Sequence, residues 1–461
     1  MFLKKFIGDR AFYQKLFAIM IPVLIQNVIT NFVSLLDNVM VGQVGTEPMS
    51  GVAIVNQLFF VFNLCIFGGV AGAGIFTAQF YGKGDHEGVR HTFRMKLYIC
   101  FGAVALFATV FAIFGETLIN QFLHEGEDNL DLAATLMHGK DYLAVMLMQL
   151  VPFALMQVYA SQLRETGETV LPMKAGIIAV LVNLVLNYVL IFGKCGLPAM
   201  GVVGAGIATV ISRYVEAAII MVWTHRHPQR MPFIRGVFRS FHVPKELVKK
   251  IAITGTPLIL NEVLWSLGNT MLNQCYSVRG LEVVSAINIS STVSNLFFCA
   301  FFAMGTTVSV VVGQLLGAGE LDRAVDEARK LIAFAVALCA AVGAVMIAFA
   351  GLIPELYNTT DTVKALAVSF LTVSGCMIPC HAFCNTAYFT LRSGGKTMIT
   401  FIFDSGYIWC ICVPVALVLS RLTAMPILPM YIVMQGTELF KVILGVAMLK
   451  QRKWVNNLVK E

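Results

Sequence analysis

Apolar runs of about 20 residues, broken by short stretches rich in charge, glycine or proline, recur along the whole chain. Within them the hydrophobic positions are continuous, as in "LYICFGAVALFATVFAIF" (97–114) and "LIAFAVALCAAVGAVMIAFAGLI" (331–353). Such runs predict helices that cross a bilayer core of roughly 30 Å, because a membrane barrel needs apolar and polar positions to alternate. The breaks delimit twelve predicted helices, near 15–41, 50–81, 97–115, 134–162, 172–193, 203–224, 250–276, 284–316, 331–353, 364–390, 398–420 and 427–449. The second and eighth are long enough to tilt or bend.

Composition supports the pattern: 58% of residues are hydrophobic and only 13% charged, against about a quarter charged in ordinary globular domains. The first residues, "MFLKKFIGDRAFYQKLF", carry a basic start, but no small-residue cleavage site follows a short apolar core, so they are expected to be retained. Cysteines such as Cys65, Cys100, Cys299 and Cys339 lie inside apolar runs and behave as small hydrophobes; no disulfide framework is implied.

Lysine and arginine in short loops favour the cytoplasmic side, which orients the helices. Of the 33, only Lys140, Lys194, Arg279, Lys364 and Arg421 fall on the side opposite the termini, and Arg213 and Lys441 fall within predicted helices. The others share the side of both termini, among them Lys83, Arg90, Arg94, Lys96 and a cluster between 226 and 250. Both termini are therefore expected to be cytoplasmic. The net charge of +7 follows from this topology, and no nucleic-acid partner is expected.

The chain also repeats itself. A shift of 235 residues places Pro22, Gly45, Gln79, Gly82 and Gly84 on Pro257, Gly280, Gln314, Gly317 and Gly319, and a shift of 228 places "LRETGET" (163–169) on "LRSGGKT" (391–397). The repeat spans six helices, an even number, so the two halves share one orientation and are related by a pseudo-two-fold axis along the membrane normal. The expected fold class is an all-α membrane protein of twelve transmembrane helices in two six-helix lobes: an N-lobe over 1–224, a cytoplasmic linker over 225–249 and a C-lobe over 250–461. Parallel repeats of this kind occur in secondary transporters, with the substrate site between the halves. No Walker A loop is present, so an ion gradient, not ATP, is the expected energy source.

The stretches "IPVLIQN", "LLDNVMVGQVG", "AQFYGKGD", "LRETGET" and "NLVLNYVLIFGKCGLPAMGVVGAGIAT", with "GQLLGAGE" in the second half, resemble the multidrug and toxic compound extrusion (MATE) family of antiporters, in order and spacing through the whole chain. The resemblance implies two lobes forming a V and efflux of cationic, amphipathic compounds in exchange for sodium ions or protons.

Carboxylates inside a bilayer are costly and are functional candidates by default. Asp37, in the first predicted helix, can exchange a proton, a sodium ion or an organic cation; the plainer reading is a half-wet residue capping its helix. It stands where the resembling family has its first-helix aspartate. Glu262 follows Pro257 in "TPLILNEVLWSL", as Gln26 and Asn27 follow Pro22, so each half sets a polar pair just after a proline. Such a proline removes a backbone hydrogen bond and frees carbonyls that can face a cation; the plainer reading is that the polar side chains satisfy the kink. The resemblance implies a sodium-linked glutamate at Glu262.

Asn183 and Asn187 are one turn apart on one helix face. In one branch of the family the second position is an aspartate working with the first-helix aspartate; here its amide can ligate sodium, orient Asp37 or simply bond between helices. The tenth helix carries Cys376, Cys380, His381, Cys384 and Asn385. A metal centre there is disfavoured because His381 points about 100° from Cys380 around the helix. His381 stands where the sodium-coupled branch has an acid, and a titrating histidine suits proton coupling. Arg213 with Glu216, and Glu438 with Lys441, are three residues apart and are expected to pair. Asp404 has no local partner and is a cavity candidate.

The function expected from these features is secondary active export of small organic cations by alternating access, with no cofactor beyond a coupling sodium ion or proton, by a monomer in a prokaryotic plasma membrane and in contact with its lipid. The alternative is a flippase for lipid-linked oligosaccharides or peptidoglycan precursors, for which a basic cavity and further helices would be expected. No HExxH or GxSxG motif supports an enzyme.

Overall fold

A computed structural model describes residues 5–123, 131–357 and 359–460. Among the described residues, twelve helices are long and apolar enough to cross a membrane. They are α1 (Arg10–Gly42), α2 (Thr46–Lys83), α3 (His86–Asn120), α4 (Leu132–Glu165), α5 (Val170–Phe192), α6 (Gly201–Arg226), α7 (Lys245–Ser277), α8 (Leu281–Gly317), α9 (Leu321–Phe349), α10 (Asp361–Ser393), α11 (Thr397–Arg421) and α12 (Ile427–Lys450). Pro22 and Pro257 lie inside α1 and α7, which continue through them. A single 3₁₀ turn, Leu147–Gln149, interrupts α4, and α11 widens into π turns over Ile402–Gly406 and Ile408–Cys412.

The repeat seen in the sequence is built as repeated local structure. Gly84 and Gly319 take φ of +79° and +80°, a left-handed turn that glycine enters without a Cβ penalty. The same pair of bonds closes each preceding helix: Gly84 N–H to Tyr81 O (3.0 Å) and Asp85 N–H to Phe80 O (2.9 Å), then Gly319 N–H to Leu316 O (3.2 Å) and Glu320 N–H to Leu315 O (3.0 Å). Gly167 and Gly395 repeat the left-handed turn after α4 and α10, with their N–H groups on Arg164 O (3.0 Å) and Arg392 O (2.8 Å).

The chain divides into two units. One holds the residues up to Leu24, Ala78–Asp85 and everything from Ala252 onward. Its core brings Leu16 and Met20 of α1 against Met304, Val308 and Val312 of α8 and Ala328 and Leu331 of α9. Small residues let backbones approach: a Cβ on Gly82 would strike the carbonyl of Gln314, and one on Gly317 would strike that of Gln79. The C-terminal residues lie across these helix ends. Gln79 donates to the carbonyls of Ser393 (2.9 Å) and Asn456 (3.3 Å) and accepts from Leu458 N–H (2.7 Å), while Asn457 donates to Gly317 O (3.2 Å). Trp454 is buried beside them, its carbonyl against Gly394.

The other unit is Ile25–Thr77 with His86–Ile251. One expectation changes in it. Arg90, Arg94 and Lys96, predicted to precede the third helix, lie within α3, and Lys96 is completely buried. Its ammonium donates to Ser161 Oγ (2.9 Å) and Gln162 Oε1 (2.8 Å) and pairs with Glu165, so a charge that looks like a loop anchor is an interior ion pair between α3 and α4. The segment between α6 and α7 is also held fast. Arg94 donates to the carbonyls of Val237 (2.8 Å), His242 (3.1 Å) and Gly236 (3.2 Å), and Arg90 to that of Phe233 (3.2 Å). Met231, Phe233, Ile234 and Val237 within it are buried, so the proline- and base-rich segment packs as part of this unit.

Candidate functional site

Each unit contains a cluster of polar side chains among apolar helices. In the unit of Ile25–Thr77 and His86–Ile251, Asp37 projects from α1 beside α5. Asn187 Nδ2 donates to Asp37 Oδ1 at 2.7 Å. The Asn183 amide lies 3.0 Å from both Asp37 oxygens and, with its nitrogen turned toward them, donates to both. One turn of helix separates the two asparagines, which is why both reach the same carboxylate. The buried Oδ1 of Asn187 has no hydrogen-bond partner among the described residues, so it remains an acceptor available to a cation.

Asp37 and Asn183 line a cavity of about 60 Å³ with Thr30, Thr209, Ser212, Arg213 and Glu216. It has room for a small cation or for water. Arg213 Nη1 lies 2.8 Å from Glu216 Oε2, as the three-residue spacing predicts. Gln26 joins the same neighbourhood, since its Nε2 and Glu216 Oε1 both approach the face of Gly176. The side chain of Asn27 is not brought to Asp37; its carbonyl accepts from Asn31 Nδ2 at 3.0 Å.

In the unit that includes Ala252–Glu461, the predicted pairing is corrected. Lys441 bonds to Asp404 Oδ1 at 2.8 Å. Glu438 lies against His381, its Oε1 3.4 Å from Nδ1. Asp404, which has no partner near it in sequence, thus finds one on α12, because the spacing rule for a single helix says nothing about a carboxylate arriving from α11. The other His381 nitrogen is 3.2 Å from Gln435 Oε1, and Gln435 Nε2 donates to the Tyr431 hydroxyl at 3.0 Å.

Glu262 takes no hydrogen bond or ion pair among the described residues, although Asp404 and Arg392 are within electrostatic reach. Its neighbour Asn261 is fully engaged: Nδ2 donates to Asp404 Oδ2 (3.0 Å), and Oδ1 accepts from the Ser405 hydroxyl (2.7 Å) and the Ser405 N–H (3.2 Å). Sequence reasoning singled out Glu262 but not Asn261 or Ser405; the alignment of Asn261 with Gln26 was the available signal. Asn385 faces α8, its buried Oδ1 close to Gly305 and without a hydrogen bond among the described residues. The cysteines of α10 do not converge: Cys376 is exposed and Cys384 buried. Among the described residues no group of three histidine, cysteine, aspartate or glutamate side chains is placed to hold a metal ion.

A family model described as MatE matches residues 22–189 and 257–422. Both matches begin on the helix prolines, Pro22 and Pro257, which are 235 residues apart. The probable multidrug resistance protein NorM of Thermotoga maritima is 26% identical over 455 residues, spanning 97% of this chain and 94% of its own. The probable multidrug resistance protein YoeA of Bacillus subtilis is 25% identical over 419 residues, spanning 90% and 88%. Among solved structures, the outward-facing conformation of a multidrug resistance MATE family transporter of the MOP superfamily superposes with a TM-score of 0.86 at 19% identity over 98% of both chains. A mutant MATE transporter of Vibrio cholerae superposes at 0.85 with 18% identity over 96% and 97%. These structures share the fold, and the family model covers most of the chain: it is a multi-pass membrane protein that belongs to the MatE family.

Proposed function

We propose that this chain is a multidrug exporter that moves organic cations out of the cell in exchange for sodium ions or protons. The observation that carries the reading is Asp37: a carboxylate inside a membrane helix, held by two asparagines and without an ion pair among the described residues, in a polar cavity with room for a cation. A carboxylate so placed binds a cation or a proton to offset its burial. Glu262 supplies a second such group. Relatives named multidrug resistance proteins support the direction and substrate class.

In this reading both termini face the cytoplasm, the protein works as a monomer and no cofactor is required. The coupling cation binds Asp37 from outside, its neutralisation stabilises the state that releases drug, and its departure inside resets the carboxylate. The acidic clusters also favour organic cations over the pyrophosphate of a lipid-linked precursor.

The test is ethidium efflux from energised membrane vesicles. Asp37→Asn is expected to abolish it while leaving the purified protein folded, and imposing a sodium gradient and a pH gradient separately identifies the coupling ion. Normal efflux by Asp37→Asn would sink the assignment.

A further inference from the structure

Arg213 and Lys441 are 228 residues apart, the shift that aligns "LRETGET" with "LRSGGKT", and each lies in the sixth helix of its half, α6 and α12. Within each unit, taken by itself, this cation is bound to one carboxylate while another has no ion pair among the described residues. Arg213 is bound to Glu216, which leaves Asp37; in the other unit Lys441 is bound to Asp404, Glu438 lies against His381, and Glu262 has no ion pair among the described residues, with Arg392 acting on it. The unpaired carboxylates are the two to which cation exchange is assigned above.

The cavity at Asp37 allows its charge to be counted. Two carboxylates, Asp37 and Glu216, and one guanidinium line it, while Arg164 of α4 lies outside the lining and acts on Glu216 from a distance, beside its neighbour Glu165. The charged and titratable groups facing Asp37 are Arg213 and Glu216 from α6 and Tyr142 from α4, whereas α5 contributes only the neutral amides of Asn183 and Asn187. Glu216 is buried, and Arg213 is about one-third exposed. Of its five N–H donors, the guanidinium uses one, on Glu216, among the described residues, and its Nε is buried with no partner. Phe153 lies 5.7 Å from it, and the arginine charge acts on Asp37. Uncompensated charge is expensive in such surroundings. Two negative charges and one positive leave room for one monovalent cation.

We propose that Arg213 is an internal counter-cation that limits the Asp37 cavity to one exchangeable monovalent cation. This rests on Asp37 being an exchange site. Without Arg213 the cavity would require a second cation, at Glu216. Arg213 is thus a positioning residue: it sets how many cations the site takes and does not bind the transported one.

The test counts cations on the purified full-length protein, radioactive sodium by equilibrium dialysis at alkaline pH and protons by titrating the same sample to mildly acidic pH. Arg213→Gln is expected to take up one cation more than wild type, and Arg213→Lys the same number as wild type. An unchanged count in Arg213→Gln overturns the proposal. If that variant does not fold, Glu216→Gln reads the point from the other side: Arg213 then neutralises Asp37 and the protein takes up one cation fewer, and an unchanged count again overturns it. Asp37→Asn separates the two ideas. It is expected to lose one cation, and a wild-type count there means that the exchange reading fails, whatever Arg213 does.

Discussion

Asn187 on α5 donates to Asp37 on α1 across 2.7 Å, a neutral amide holding an acid inside the membrane-spanning region. A hydrogen bond to a charged group contributes about 1.5–3 kcal/mol, and each 1.4 kcal/mol is a factor of about ten. Asn187→Leu is therefore expected to lower ethidium efflux by roughly tenfold or more. Transport in vesicles, alongside the melting temperature in detergent, distinguishes a lost donor from a lost fold.

Lys441 is buried and bound to Asp404, so removing it strands a carboxylate. Breaking one side of a buried pair costs about 3–5 kcal/mol, whereas removing both sides is far milder. Lys441→Met is expected to lower the melting temperature in detergent sharply, and Lys441→Met with Asp404→Asn to recover most of the loss. If the double variant melts no higher than the single one, the pairing is not what the lysine is for.

The segment between α6 and α7 is rich in arginine and would be an easy trypsin target if it were loose. Three bonds from Arg94 to backbone carbonyls hold it in place. In the wild-type protein, cleavage between residues 227 and 244 is expected to be slow; in Arg94→Ala it should accelerate several-fold. Equal rates in a time course read by mass spectrometry would contradict the clamp.

Gly82 and Gly84 are two residues apart but have different reasons to be glycine. Gly84 turns left-handed with open space around it, so Gly84→Ala meets only a backbone penalty of about 1 kcal/mol. Gly82 lies against the Gln314 backbone, which cannot swing aside as a side-chain tip can. Gly82→Ala and Gly317→Ala are expected to destabilise the protein more than Gly84→Ala does, as thermal unfolding of the three variants would show.

The twelve spans were legible because apolar length alone marks them. Their ends were not: Arg90, Arg94 and Lys96 read as a loop because charge normally stops a bilayer helix, but α3 carries them into contacts made by residues far away in sequence. Lys96 meets Glu165 across two helices, and nothing in the local pattern of either announces the other. The same limit explains Asp404 and Lys441. Asp37, Glu262, Asn183 and Asn187 stood out because polar side chains in an apolar run are rare; Asn261 and Ser405 did not, because their role is to hold a neighbouring group and only the fold brings that group to them. The π turns over 402–412 likewise had no residue pattern to betray them.

The contact of Gly82 with the Gln314 carbonyl and of Gly317 with the Gln79 carbonyl is one contact made twice, with the roles exchanged. Residue i meeting j while j meets i is how identical subunits join about a two-fold axis. The first half of this chain therefore carries, at Gln79 and Gly82, the counterpart of each surface it meets at Gln314 and Gly317. Expressed as a separate six-helix polypeptide it is expected to pair with itself through these residues, a state cross-linking would reveal.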